Sequence, residues 1–138
     1  MKGLIQLGSG SEAPAWMEDL DRSSFGEPWG SLAGHEMAWA FEREAFAIWS
    51  VIPAAYEAEL LRVAVNQGLR RQGLGRHLLG ACEAQMRRLG IRTLRLEVRV
   101  SNASARALYE TLGWRPDGLR KAYYKDGEDA VLYHNELG

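Results

Sequence analysis

Met37, Trp39 and Phe41 alternate with Glu36, Ala38, Ala40 and Glu42, and this period of two predicts a half-buried strand. "AFAIWSVI" (45–52) reads as a second strand and "PAAYE" as the turn into a third, "ELLRVAV" (59–65), on which Leu61, Val63 and Val65 are expected to share a face. Three strands so close together predict an antiparallel meander. Ahead of them, Trp16, Met17 and Leu20 recur at helical spacing after Pro14, giving a short amphipathic helix, and "GEPWGSLAGH" reads as loop. Beyond the meander, Leu78, Leu79, Cys82, Met86 and Leu89 form one helical stripe that Gly90 is placed to end. Residues 91–100 then alternate strictly, with Leu94, Leu96, Val98 and Val100 opposed to Thr93, Arg95, Glu97 and Arg99. Strand, helix and strand make a parallel, right-handed crossover. A further helix runs from Ala103 to Leu112, with Ala105, Leu108, Tyr109 and Leu112 on its stripe and Gly113 as its stop. "RKAYYKDGEDAVLYH" reads as a closing hairpin that turns at Asp126-Gly127.

With 138 residues and no linker, repeat or low-complexity tract, residues 1–138 are expected to form a single α/β domain with a mixed sheet. No apolar run approaches the ~18 residues of a membrane span. "MKGLIQLGSG" holds too short an apolar stretch for a secretory signal, and the lone Cys82 cannot build an internal disulfide framework, so a cytoplasmic location is expected. Cys82 falls on an apolar stripe, which favours a core role over a nucleophilic one. His35, His77 and His134 show no metal-ligand spacing, and no metal is expected.

Charge changes the picture. Residues 1–61 carry three basic and ten acidic side chains, whereas residues 62–99 carry nine arginines against Glu83 and Glu97 alone. The arginines crowd around "NQGLRRQGLGRHLLG" (66–80), a glycine turn between the third strand and the crossover helix. Backbone N–H groups at a helix N-terminus are unpaired and favour an anion, and Gly73 and Gly75 let a phosphate approach the main chain. Arg70, Arg71 and Arg76 flank the turn. The G-K-[ST] ending of a nucleotide P-loop is missing, and the turn follows a meander instead of opening a dinucleotide-binding unit. Both features point away from NTP and NAD. A net charge of −1 disfavours general nucleic-acid binding, and core packing accounts for the five tryptophans better than base stacking does.

"LLRVAVNQGLRRQGLGRHLL" resembles the acetyl-CoA signature of the GNAT acetyltransferase superfamily. "LRLEVRVSNASARALYETLGW" and "YYKDGEDAVLY" are similar to its RimI-type protein N-terminal acetyltransferases, so that the resemblance covers residues 60–133. It implies a strongly twisted mixed sheet with flanking helices, splayed open where the third meander strand leaves the crossover strand. Acetyl-CoA is then the co-substrate. The backbone of Val63, Ala64 and Val65 would pair with its pantetheine arm, Arg70, Arg71, Gln72, Gly73, Leu74, Gly75 and Arg76 would hold its pyrophosphate, and Asn102 would make a further contact or serve only as a helix cap. In place of the family's V-x-P before the turn this chain has Val65-Asn66-Gln67.

Acetyl transfer from a thioester to an amine needs a neutral amine and a proton for the departing thiolate. Free α-amino groups have a pKa near 7.7 to 8.0, so a base has modest work to do. Glu97 is the one carboxylate on the polar face of the crossover strand, and it either takes that proton or merely offsets Arg95 and Arg99. Tyr109 either protonates the sulfur or is a core tyrosine. By resemblance Glu97 is the proton acceptor and Tyr109 the donor, and Tyr123 and Tyr124, with Glu27 and Trp29 of the early loop, border the acceptor site. The resemblance implies as acceptor the N-terminal alanine of a ribosomal small-subunit protein, a basic partner that suits the acidic first third of the chain. A small-molecule amine acetyltransferase of the same fold and a non-catalytic acyl-CoA-binding module remain as alternatives.

Overall fold

A computed structural model of the chain describes residues 3–138. Met1 and Lys2, which begin the segment judged too short for a signal, lie outside them. Seven strands form one sheet: β1 (Leu4–Leu7), β2 (Glu36–Phe41), β3 (Ala45–Ile52), β4 (Glu57–Val65), β5 (Thr93–Arg99), β6 (Arg115–Arg120) and β7 (Ala130–Glu136). Their order across the sheet is β1-β2-β3-β4-β5-β7-β6. Only β4 and β5 pair in parallel; the other neighbours are antiparallel. Three helices cover the sheet, α1 (Ala15–Phe25), α2 (Leu74–Arg88) and α3 (Ala103–Thr111).

The stripes read from the sequence explain which helix lies where. Leu78, Leu79, Cys82 and Met86 of α2, and Tyr109 of α3, enter a core with Trp39, Trp49, Leu94, Leu96 and Trp114. Met17 of α1 packs on the opposite face with Ala38, Ala40, Phe46, Ile48 and Ala64. β2 is therefore buried on both faces, not half-buried. Its alternation is between large side chains toward α2 and alanines toward α1, and alanine is small enough to let a helix close on the sheet. Cys82 is fully buried and its thiol is pushed up to about 12, chiefly by that burial, so it packs as a hydrophobe.

Four further expectations are corrected. β1 is an additional strand, placed by pairing with β2 in a segment too short to show a clear period. Leu61 does not share a face with Val63 and Val65: Ile48 opposes Arg62 while Trp49 opposes Leu60, so Leu61 is the extra residue of a β-bulge. Leu60 joins Val63 and Val65 on the α2 face, and Leu61 turns toward α1 with Ala64. Val100 lies past the end of β5 and is exposed. Finally, the closing hairpin pairs β7 with Arg115–Arg120, and residues 121–129 form a long connection in which Tyr124–Gly127 makes the turn expected at Asp126-Gly127. β6 is exposed along its length, so it carried no apolar period to be read.

The bulge positions the site. An extra residue bends its strand and increases local twist. The parallel register of β4 with β5 ends at Leu60 opposite Leu96, next to the bulge. Beyond it Arg62, Val63, Ala64 and Val65 continue along β3 alone, leaving one edge of β4 open.

Candidate active site

A cavity of about 480 Å³ occupies the opening between the parted strands. Leu60, Arg62 and Val63 of β4 form one side and Leu96, Glu97 and Arg99 of β5 the other. Phe25 approaches from α1, while Asn102, Ala105 and Tyr109 approach from α3. The opening thus connects the two faces of the sheet.

Glu97 projects toward the α1 face because the period of β5 sends Leu96 and Val98 into the core. Its side chain is 19% exposed, and Arg120 Nε lies 3.7 Å from its Oε1. Tyr123 carries a hydroxyl whose pKa is raised first by the Glu97 carboxylate beside it. Glu59 of β4 also faces this group. Burial, and then Glu97, raise the pKa of Glu59, with Arg120 and Arg95 acting in the opposite sense. The sequence reading missed Glu59; its place on the same polar face as Glu97 follows only from the parallel register that sets it opposite Arg95.

Tyr109 lies on the opposite side of the sheet opening. Its ring packs against Trp114 (5.9 Å between centroids) and Tyr133 (6.2 Å), which fixes its direction. Burial, with a smaller contribution from Tyr124, pushes its hydroxyl up to about 12, so at neutral pH it holds a proton available for donation. Asn102 caps α3, its side chain accepting the Ala105 N–H at 3.2 Å, and it also lines the cavity.

The glycine turn leads into α2 as expected. Gly73 is the N-cap at φ 77°, and no side chain among the described residues caps the first-turn amides. Arg71 also has positive φ, 66°. A Cβ on Gly75 would sit 3.4 Å from Leu108 Cδ2 and 3.7 Å from Val65 Cγ2, ordinary contact distances, so packing of α2 on β4 and α3 does not itself demand glycine here. Asn66 ties the strand exit by accepting the Gly68 N–H and donating to the Arg43 carbonyl. Arg70 is turned back, its Nε donating to the Val65 carbonyl at 3.2 Å.

Among the expected acceptor residues, Tyr124 lines the cavity, while Tyr123 stands at its margin, edge-on to Tyr124 with ring centroids 5.1 Å apart. Glu27 and Trp29 do not line it. The Glu27 carbonyl accepts from Arg62 Nη1, and the Trp29 ring lies 5.1 Å from the Arg62 guanidinium carbon. No group of three or more potential metal-ligating side chains is found among the described residues, and no helix among them is long and apolar enough to cross a membrane.

A profile of the Acetyltransferase (GNAT) family matches residues 11–114. The chain belongs to the GNAT acetyltransferase family. It is an acetyl-CoA-dependent acyltransferase, and within the family it is 40% identical over 120 residues to the [ribosomal protein bS18]-alanine N-acetyltransferase of Escherichia coli (strain K12), an alignment that spans 85% of this chain and 78% of that one. The crystal structure of the ribosomal-protein-S18-alanine N-acetyltransferase from Escherichia coli superposes with a TM-score of 0.77 at 30% identity, covering 99% of this chain and 95% of that one. A Bacillus subtilis acetyltransferase solved in complex with CoA shares the fold, with a TM-score of 0.75 at 15% identity over 99% of this chain and 100% of its own. Acetyl-CoA is this chain's co-substrate.

Proposed function

We propose that this GNAT enzyme acts as one domain in the cytoplasm and acetylates the N-terminal α-amino group of a protein, with the alanine of a ribosomal protein as its acceptor. The observation that carries the reading is the cavity itself: Glu97 enters it from β5 and Tyr109 from α3, on the two sides of the gap left by β4. The 40% identity to the E. coli enzyme supports the acceptor class. In this reading Glu97 accepts the proton of the attacking amine, directly or through a water, and Tyr109 protonates the departing thiolate. The open edge of β4 at Val63, Ala64 and Val65 offers backbone groups to pantetheine and to the thioester carbonyl. Gln72, Gly73, Leu74, Gly75 and Arg76, with Arg71, receive the pyrophosphate, and Arg70 serves the loop by holding it to the end of β4. Asn102 contacts the donor while capping α3. Tyr123 and Tyr124 border the acceptor path, and Glu27 and Trp29 contribute to it through the loop they anchor.

The experiment is thiol release from acetyl-CoA with peptides that begin with Ala, Ser, Thr or Met, alongside spermidine and free amino acids. Release that depends on an Ala-initiated peptide and collapses in Glu97→Gln is the expected result. Turnover of spermidine or amino acids alone overturns the acceptor class.

A further inference from the structure

Arg62 is the one guanidinium on β4, and its place is built by three separate features. Asp21, 2% exposed, accepts from Arg62 Nη1 through Oδ1 at 2.6 Å, and its other oxygen accepts the Trp29 N–H. Asp21 and Phe25 are four residues apart on α1 and so share a face; the Phe25 ring lies 4.3 Å from the guanidinium carbon. The Trp29 ring and the Glu27 carbonyl complete the enclosure. The side chain is thereby held in one orientation with 21% of its surface exposed.

Both hydrogen bonds use Nη1. Nε and Nη2 have no hydrogen-bond partner among the described residues, and they are not among the fully buried unpaired atoms. Arg62 lines the cavity, whose other wall carries Glu97. A planar donor fork, fixed and with its charge matched by a buried carboxylate, is suited to a neutral oxygen acceptor. In a peptide N-terminus the first such oxygen is the carbonyl of residue one, separated from the amine by a single Cα. We propose that Arg62 is a specificity-determining residue that donates a hydrogen bond to this first carbonyl, selecting an α-amine followed by a peptide bond over a polyamine that lacks the oxygen. The inference rests on the reading of the acceptor as a protein N-terminus.

The test compares an Ala-initiated peptide with the same peptide whose first peptide bond is replaced by a trans-alkene, which removes the oxygen and adds no charge. Wild type should lose roughly ten- to a hundredfold in kcat/KM on this replacement, the size of a hydrogen bond to a charged donor. In Arg62→Met the loss should fall to within about threefold, with acetyl-CoA KM unchanged. Because that variant leaves Asp21 buried without its partner, which is destabilising, the double variant Asp21→Asn/Arg62→Met is measured in parallel and should show the same flattened ratio. A purely structural role for Arg62 would lower turnover of both peptides alike and preserve the ratio. An oxygen-dependent loss of the same size in wild type and in a folded variant overturns the Arg62 assignment while leaving the protein-acceptor reading intact. Absence of peptide turnover in wild type, with polyamine turnover present, overturns both.

Discussion

Arg99 lies over Tyr124, its guanidinium carbon 4.1 Å from the ring centroid, and so connects the strand that carries Glu97 to the tyrosine loop. Arg99 Nη1 also pairs with Asp126 at 2.8 Å and Glu128 at 2.9 Å. Glu128 accepts the Ser101 N–H in turn, so the loop is fastened to both ends of the β5–α3 junction. Asp126 is held below its usual range first by the Glu128 N–H and then by Arg99, and Glu128 first by Ser101 and then by Arg99. Both folded values are depressed, so the loop order that these carboxylates supply is complete above their ordinary values and is lost as pH falls through the lowered ones. We expect limited proteolysis of residues 121–129 to accelerate below about pH 4 in wild type. Arg99→Ala should show that susceptibility at neutral pH, with a raised peptide KM and an unchanged acetyl-CoA KM. Equal protection of the variant at pH 7 would refute the fastening.

Glu97→Gln keeps the shape of the side chain and removes its basicity. Its kcat is expected to drop by about 10²- to 10⁴-fold, the range for a positioned general base. Acetyl-CoA affinity, read by calorimetry, should stay within about twofold of wild type, since the proposed donor contacts do not include Glu97. A variant that loses donor binding and kcat together would mark Glu97 as structural.

The Tyr109 hydroxyl has no hydrogen-bond partner among the described residues, although its ring is wedged between Trp114 and Tyr133. Tyr109→Phe therefore preserves the packing. Unfolding free energy should change by less than about 1 kcal/mol, while kcat falls by about 10²-fold or more if the hydroxyl protonates the thiolate. Thioesters with more acidic thiols should be transferred with a smaller defect, because they leave without a proton. A defect independent of the leaving group contradicts proton donation.

Gly73 takes φ 77° and a Cβ there meets nothing within 4 Å, so replacement strains the backbone without a clash. Gly73→Ala should cost about 1 kcal/mol in urea unfolding and weaken acetyl-CoA more than the acceptor peptide, because the first-turn amides of α2 are reoriented. An unchanged acetyl-CoA KM would show that the turn does not hold the donor.

The donor half of this arrangement was legible because its determinants are local. Gly73 and Gly75 mark a turn on their own, and the alternation around Glu97 fixes the face on which that carboxylate lies. The acceptor half depends on pairs distant in sequence. Asp21 reads as an ordinary polar position of an amphipathic helix, and its burial is explained only by the Trp29 N–H and by Arg62, 41 residues later. The bulge at Leu61 has no signature in β4 itself, since it is a mismatch between two strands. β6 was missed because an exposed strand carries no apolar period, and Tyr123 and Tyr124 were consequently assigned to a hairpin arm when they belong to a loop held by Arg99.

Glu59 and Glu97 share a face of the sheet, and the pKa of Glu59 is raised first by burial and then by the Glu97 charge. A carboxyl whose folded value is raised above its unfolded one contributes stability that is fully present below the unfolded pKa and is lost as pH rises through the folded pKa. Once ionised, Glu59 is therefore a net burden, only partly offset by Arg95 and Arg120. Glu59→Gln removes it. The melting temperature of the variant should exceed that of wild type at pH 8, and the two should converge at pH 4, where wild-type Glu59 is protonated. A variant less stable than wild type at pH 8 would mean that pairing with Arg95 and Arg120 outweighs burial.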